Sequence, residues 1–204
     1  MYGGIIGKHE CENMQVTKCG NDKDIEGTDY VGGITGYEYI GEIIITDCYN
    51  IKTIKSISKY SGGILGAKTN YSNIYINNSY NKGKVISSQY AGGITGYVTK
   101  GSHEGKATIT NTYNVGIVEG NSSKGGIIGF NKSNTECIFL NCYYLDECDK
   151  EIGNLESSEA TSMSVSEMKN IAFTNQMNAN IENIENTGNW TRWKQGEDGY
   201  PELE

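Results

Sequence analysis

Short stretches of alternating apolar and polar residues recur along the chain, each too short for an amphipathic helix. Three of them are "ITDCYNIKTI" (45–54), "INNSYNKGKV" (76–85) and "ITNTYNVGIV" (109–118). In an extended chain, side chains two positions apart lie on the same face. The pattern therefore predicts short strands with one buried face rather than helices.

A Gly-Gly-Ile segment accompanies each stretch and makes the pattern periodic. The first glycines of the five copies are 29, 30, 30 and 33 residues apart, and they are Gly3, Gly32, Gly62, Gly92 and Gly125. A phosphate-binding glycine loop occurs once per nucleotide site, where a strand meets a helix. Five near-periodic copies instead indicate a repeat architecture, in which the glycines let the chain turn between faces and let successive units pack closely.

Alignment of the five copies places similar residues in common columns. One column contains Cys19, Cys48, Ser79, Thr112 and Cys142. The aliphatic columns include Val16, Ile45, Ile76, Ile109 and Leu140, and then Ile25, Ile54, Val85, Val118 and Cys148. A unit of roughly 30 residues cannot bury its own apolar face, but stacked units bury a continuous core. We therefore predict an all-β fold, a right-handed parallel β-helix (solenoid) of about five coils with three strands per coil.

Asparagines recur beside and after the Cys column, for example at Asn78, Asn81, Asn111 and Asn114. Stacked amides can form side-chain ladders along the axis, and asparagine also tolerates left-handed turn positions. We favour the turn interpretation over the ladder.

The two recurring motifs, Gly-Gly-Ile-x-Gly and Ile-x-Asn-Cys-Tyr-Asn followed by x-Gly-x-Val, resemble the GLUG repeat. The match is fullest at 90–118 and 60–85 and weakest at 2–25, where Gly20 replaces the usual tyrosine. That repeat is found in large bacterial surface proteins, including IgA-cleaving zinc metallopeptidases. The resemblance implies a β-helical scaffold in an extracellular or cell-surface setting, and it implies no activity of its own.

The residues needed for metal catalysis are missing from the sequence. A zincin helix needs a second histidine four residues after the first, but Asn13 follows His9 at that distance and Ala107 follows His103. The cysteines form no Cys-x-x-Cys pair, and most of them occupy apolar columns, where a free cysteine behaves as a small hydrophobic residue. The acidic stretch at 22–26 lacks the bidentate glutamate of a calcium loop. We expect no cofactor and no structural metal, and we expect the neighbouring Cys19 and Cys48 to stay reduced because stacked parallel side chains rarely have disulfide geometry.

Two domains are predicted: repeats over 1–154 and a capping segment over 155–204. The capping-box pattern from Ser164 to Glu167 predicts a helix near 164–178. Trp190 and Trp193 are then expected to cover the last coil, on the columns that end at Leu140 and Cys148. Because the chain starts inside a repeat, we interpret it as part of a longer protein whose signal peptide lies elsewhere.

Charge and loop length bear on possible ligands. Residues 1–145 carry 13 lysines and 12 acidic residues, so the net charge of −8 comes from the tail, and nucleic acid is a poor partner. No apolar run is long enough to span a membrane.

The longest spacer between motifs contains Tyr97, Lys100, His103 and Glu104. Insertions in solenoids often lie on a binding face, so we predict these four as ligand-binding residues. The alternative is a plain surface loop.

The sequence as a whole indicates a non-catalytic scaffold or adhesion module of a bacterial surface protein. Its expected partners are the other repeats or domains of its parent chain and a host glycan or host protein. The alternatives are a carbohydrate-active β-helix enzyme of the lyase or hydrolase kind, or a specificity domain of a surface peptidase. A carbohydrate-active site would require acids from three adjacent coils to converge on one concave face.

Overall fold

The computed structural model of this chain describes residues 1–69, 72–100, 105–157, 159–185 and 187–204. The chain winds through five coils, and its strands form parallel sheets that run along the stack. This is the predicted all-β parallel solenoid, with two short helices near its carboxyl end within the described residues. A complete coil contains five short strands rather than the predicted three, because turns interrupt the extended segments.

The strands and helices follow one another in a regular order. Coil 1 contains β1 (Tyr2–Gly3), β2 (Ile6–His9), β3 (Asn13–Thr17), β4 (Gly20–Asn21) and β5 (Ile25–Gly27). Coil 2 contains β6 (Tyr30–Gly32), β7 (Thr35–Glu38), β8 (Gly41–Thr46), β9 (Tyr49–Asn50) and β10 (Ile54–Ser56). Coil 3 contains β11 (Tyr60–Gly62), β12 (Leu65–Lys68), β13 (Ser72–Asn77), β14 (Tyr80–Asn81) and β15 (Val85–Ser87). Coil 4 contains β16 (Tyr90–Gly92), β17 (Thr95–Thr99), β18 (Ala107–Thr110), β19 (Tyr113–Asn114) and β20 (Val118–Gly120). Coil 5 contains β21 (Ser123–Gly125), β22 (Ile128–Lys132), β23 (Cys137–Leu140) and β24 (Tyr143–Leu145). The remainder contains β25 (Thr161–Met163), α1 (Val165–Met168), α2 (Ile171–Asn183), β26 (Trp193–Gln195) and β27 (Pro201–Leu203).

Equivalent strands of successive coils form five parallel sheets, named A to E here in the order in which a coil visits them. Sheets A, B and C contain five strands each, and β25 extends sheet D to six. Sheet E contains only β5, β10, β15 and β20. Coil 5 has no strand at 146–149, so Cys148, predicted to continue the column of Val118, lies after a turn instead.

The apolar columns form the core that the sequence predicts. Ile45 pairs with Ile76, and Ile76 with Ile109, and all three side chains are fully buried. The prediction fails in coil 5, where Phe139 rather than Leu140 pairs with Ile109. Leu140 therefore points outward and is 47% exposed, because neighbouring residues of a strand face opposite sides.

The motif glycines allow sheets A and B to approach each other closely. A Cβ atom on Gly62 would overlap the backbone of Leu65 and of Gly96, and a Cβ on Gly96 would overlap the backbone of Ser61 and Gly66. Main-chain atoms occupy the space that a side chain would need, so no larger residue fits there. The expected close packing of coils therefore occurs, and it lies between the two sheets that flank the Gly-Gly-Ile turn.

One asparagine column serves both of the roles considered above, because Asn111 Nδ2 donates to Asn78 Oδ1 at 2.8 Å and Asn78 Nδ2 to Asp47 Oδ1 at 2.6 Å, and a second column forms a ladder only. Asn78 and Asn111 adopt positive φ angles of 45° and 47° at the turn before sheet D. Asp47, at the equivalent position of coil 2, also has a positive φ angle, of 55°. The other column is a ladder along the axis in which each side-chain Nδ2 donates to the next Oδ1 at 2.7 Å. Its members are Asn21, Asn50, Asn81 and Asn114. The turn interpretation is thus correct for one column and wrong for the other.

Residues 149–163 cover the carboxyl-terminal end of the stack. The N–H of Gly126 donates to the carbonyl of Lys150, and that of Ile127 to Glu151. The buried Glu151 carboxylate in turn accepts from the N–H of Ala160 at 2.6 Å. Part of the last coil is therefore covered by the described residues of this segment before the helices begin.

The tail packs on the side of the solenoid, not on its end. The predicted capping box at Ser164 and Glu167 is present, but α1 is a single turn and α2 follows as a separate helix. Trp193 is buried against Tyr80 and Tyr113, at ring distances of 5.8 and 5.7 Å. The prediction that Trp193 covers the columns of Leu140 and Cys148 is wrong. The tail instead covers the apolar ladder of stacked tyrosines on sheet D, which are Tyr49, Tyr80, Tyr113 and Tyr143.

Candidate functional site

A second set of aromatic side chains, on sheets A and B, is left uncovered by the tail. Six of its seven rings are half-buried and Tyr97 is buried. We call this set the aromatic row, and its members are Tyr30, Tyr37, Tyr39, Tyr60, Tyr90, Tyr97 and Phe130. The row extends across coils 2 to 5 because sheets A and B place equivalent residues above one another.

The rings of sheet A interdigitate with those of sheet B. Tyr60 and Tyr97 stack at 4.3 Å with an interplanar angle of 8°, and Tyr90 stacks on Phe130 at 4.3 Å. Along the axis, Tyr60 and Tyr90 are 5.3 Å apart and nearly parallel, at 4°. Stacked pairs of this kind contribute roughly 0.5–1.5 kcal/mol beyond their buried area. The row is therefore a rigid feature of the surface.

Polar groups surround the aromatic row. The ammonium group of Lys59 lies 5.6 Å from the Tyr30 ring, and that of Lys8 lies 5.5 Å from Tyr39. Burial, followed by the neighbouring tyrosines, raises the pKa of Tyr60 to about 12, so its phenol stays protonated at neutral pH. Because the ring faces stack on one another, a ligand meets ring edges and hydroxyl groups. The row thus offers an apolar strip with hydrogen-bonding groups on a fixed spacing.

The four residues predicted from loop length do not form one described cluster. Tyr97 belongs to the aromatic row, although it is only 7% exposed. Lys100 lines a separate cavity with Lys106 and Glu136. His103 and Glu104 lie outside the described residues, so their part of the prediction is not tested.

Sequence reasoning missed most of the aromatic row, although the signal is present in the sequence. Tyr37, Tyr97 and Phe130 each lie five residues after the first glycine of their motif. The third coil breaks this column because Ala67 occupies the equivalent position. A search for columns of outward-facing residues, alongside the columns of core residues, would have identified the row.

Three ionisable side chains are buried at one register position of sheet B. His9, Glu38 and Lys68 pair in successive coils, and a bond of 2.5 Å joins His9 Nδ1 to Glu38 Oε2. Lys68 Nζ donates to the carbonyl of Thr99 at 3.1 Å. Burial raises the pKa of Glu38 to about 8 and lowers that of Lys68 to about 8, with each charge opposing the shift of the other. This buried row lies inside the fold, where no ligand can reach it.

The surface carboxylates are paired rather than clustered. Several of them contact a lysine of the adjacent coil, as in the pairs Glu26–Lys55 at 3.0 Å, Asp29–Lys59 at 3.6 Å, Glu119–Lys84 at 2.7 Å and Glu136–Lys106 at 3.0 Å. Across the described ranges, no three His, Cys, Asp or Glu side chains form a group that could hold a metal ion. The same residues include six cysteines, all of them as free thiols.

Comparison with known proteins identifies one structural neighbour. No family model matches the chain, and no curated protein matches it. The chain is similar to the crystal structure of a Bacteroides ovatus protein that is provisionally described as an immunoglobulin A1 protease. The TM-score is 0.72 at 22% sequence identity, over 99% of this chain and 63% of the neighbour. This chain thus spans less than two thirds of that protein's length, and at this identity the likeness shows the fold alone.

Among the described residues, neither helix combines the length and the apolar character that crossing a bilayer requires.

Proposed function

We propose that this chain is a non-catalytic β-helical scaffold and adhesion module of a bacterial surface protein, and that the aromatic row is its ligand-binding surface. The single observation that carries the proposal is the row itself, a strip of stacked rings that no described segment of the tail covers. Aromatic residues with polar tips are typical of recognition surfaces. The tail covers the tyrosine ladder on sheet D, whereas this second strip remains available.

The same proposal includes two further statements: the chain is extracellular, and its repeats are GLUG repeats. Their support is the recurrence of the two motifs in phase with the coils, together with the fold shared with a bacterial protein of related description. The host or cell-wall ligand would be a glycan or a protein surface that can lie along several coils.

The pairing of the carboxylates favours a scaffold over a carbohydrate-active enzyme. Glycoside hydrolysis needs two carboxylic groups that face each other across a substrate. Here Glu26 and Glu119 each bind a lysine of an adjacent coil, and Glu38 is buried beside His9. None of these arrangements leaves two carboxyl groups free to act together.

A second candidate is a specificity domain of a surface peptidase. The neighbour's description as an immunoglobulin A1 protease favours it, since that protein is longer than this chain. A module of this kind would hold the substrate while another domain cleaves it.

A binding screen with a matched control tests both candidates. Wild type and a Tyr60→Ser/Tyr90→Ser variant are applied to a glycan array and to immobilised immunoglobulin A1, with Tyr75→Ser on sheet C as the control. We expect binding that weakens about tenfold or more in the double variant, in the range of a binding hot spot, and stays unchanged in the control. Ligand binding that is equal in all three proteins would contradict the assignment of the row, and hydrolysis of any glycan would favour the enzyme.

A further inference from the structure

Sheet E ends one coil earlier than its neighbours. The backbone of 150–153 bonds to residues 126–128, between the last strands of sheets A and B, and β25 pairs with the last strand of sheet D. The carboxylate of Glu159 accepts from Phe139 on sheet C at 3.2 Å. In contrast, β20 pairs with β15 on one side and with no strand of the described chain on the other.

The unpaired groups of β20 can be assigned from the hydrogen bonds around it. The carbonyl of Ile117 accepts from Val85 at 2.9 Å, and the N–H of Asn121 donates to Ser87 at 3.3 Å, so both residues face coil 3. Backbone groups alternate along a strand, so Val118 and Gly120 face the missing strand of coil 5. In coils 1 to 3, the residues equivalent to Val118 are Ile25, Ile54 and Val85. The N–H group of each donates to a backbone carbonyl of the next coil at 2.8–2.9 Å.

A side-chain ladder ends at the same edge. Asn81 Nδ2 donates both to the carbonyl of Gly83 and to Oδ1 of Asn114. Asn114 Nδ2 repeats the first bond, to Gly116 at 3.1 Å, but its register partner in coil 5 is Tyr144, which has no amide to continue the ladder. One N–H of this buried amide is therefore left without its ladder partner.

A cavity of about 220 Å³ lies beside this edge. It is lined by Asn114, Gly116, Val118, Lys124, Leu145 and Cys148, among others. A cavity of roughly 150 Å³ can hold a benzene molecule, so this space accommodates one aliphatic side chain next to Val118. It exists because the chain turns away after Leu145 instead of forming a strand.

We propose that the open edge at Val118–Gly120 is a strand-addition site for an extended peptide. Addition of a strand to an open sheet edge is an established mode of peptide recognition, in which backbone bonds give affinity and side-chain pockets give specificity. Continuity with the four existing coils defines the ligand. Sheet E carries Ile25, Ile54, Val85 and Val118 in one column, and two residues later it carries Gly27, Ser56, Ser87 and Gly120. The peptide therefore has the pattern Ile or Val, any residue, then Ser or Gly, with its aliphatic side chain in the cavity.

A synthetic peptide with the sequence of residues 83–88, GKVISS, tests the proposal on the full chain. Binding is measured by calorimetry and located by amide hydrogen exchange. We expect exchange at Val118 and Gly120 to slow about tenfold at a peptide concentration ten times the Kd. A peptide N-methylated at the isoleucine lacks the N–H that reaches the Val118 carbonyl, so it should not bind. A Cys148→Phe variant, which fills the cavity without altering a strand, should also lose binding.

Several results would overturn the assignment. These are the absence of binding at millimolar peptide, equal binding of the N-methylated peptide, and protection confined to the open strands of coil 1. If Cys148→Phe does not fold, the comparison of the two peptides on the unmodified protein still decides the question.

Discussion

At the residue scale, the buried row of His9, Glu38 and Lys68 is the least expected part of the molecule. Ionisable groups are rarely buried completely unless they are paired, and these three occupy one register position in three successive coils. His9 Nε2 and Glu38 Oε1 have no hydrogen-bond partner within the described part of the chain. The burial of these groups therefore lowers the stability of the folded state in coils 1 to 3.

The buried row predicts that stability falls as the pH rises from 6.5 to 7.5. The folded pKa of Glu38 is raised from 4.5 to about 8, so its contribution to stability is complete below 4.5 and is lost as the pH approaches 8. His9, whose pKa is lowered from 6.5, takes up part of a proton on unfolding near the lower end of this window, and Lys68, whose pKa is lowered to about 8, does so near the upper end. Unfolding therefore releases less than one proton in total, and the free energy of unfolding should fall by roughly 0.7 kcal/mol across the window.

Urea denaturation at pH 6.5 and 7.5 measures this dependence. The isosteric variant Glu38→Gln cannot ionise, so its free energy of unfolding should change much less over the same interval. An identical pH dependence in the two proteins would show that Glu38 is already ionised in the folded state.

At the element scale, the strands follow the sequence pattern where each coil repeats the last one, and they depart from it where a coil is irregular. Ile45, Ile76 and Ile109 could be assigned to one core column because both flanking motifs are intact. In coil 5 the alignment chose Leu140, although the spacing of the other coils, three residues before the Cys column, identifies Phe139, which is the buried residue. The aromatic row and the asparagine ladder are contacts between coils, and a single strand's pattern does not reveal them.

The asparagine ladder predicts a large effect for a small substitution. Asn81 is fully buried, and its side chain bonds to Asn50, to Asn114 and to the backbone of Gly83. Replacement with alanine leaves several of these partners unsatisfied, at about 1–3 kcal/mol for each such group. Asn81→Ala should lower the free energy of unfolding by about 2–4 kcal/mol in total.

Chemical denaturation of Asn81→Ala beside Asn77→Ala checks this effect. The side chain of Asn77 lies on the half-buried outer face of sheet C, so its replacement should cost less than about 1 kcal/mol. If both variants lower the free energy of unfolding equally, water replaces the hydrogen bonds of the ladder without a loss of stability.

At the scale of the whole molecule, the tail and the stack form one unit. Trp193 donates from Nε1 to Asn78 at 2.8 Å, and Phe173 meets Tyr113 and Tyr143 edge to face. The sequence identified the capping box at Ser164 and Glu167 correctly. It could not show which surface the tail covers, because the tyrosine ladder becomes a continuous apolar strip only once the coils are stacked.

Removal of 164–204 should therefore expose the tyrosine ladder and cause self-association. Exposed apolar strips of this size are typical of interaction surfaces. Light scattering coupled to gel filtration should show oligomers or aggregates for the truncated protein and none for the full chain. A truncated protein that stays monomeric with an unchanged Tm would show that the ladder needs no cover.

The attachment of the tail also determines how the molecule would carry mechanical load. Thr191 binds the Asp47 carboxylate through its N–H at 3.0 Å and its hydroxyl at 2.9 Å, and Lys82 binds Asp198 and Glu202. Tension applied at the carboxyl end of the tail would therefore enter the stack at coils 2 to 4, since the Tyr113 hydroxyl of coil 4 also donates to the Pro201 carbonyl. These contacts would carry the load before the contact of Phe173 with Tyr143 in coil 5, so coil 5 would be loaded last.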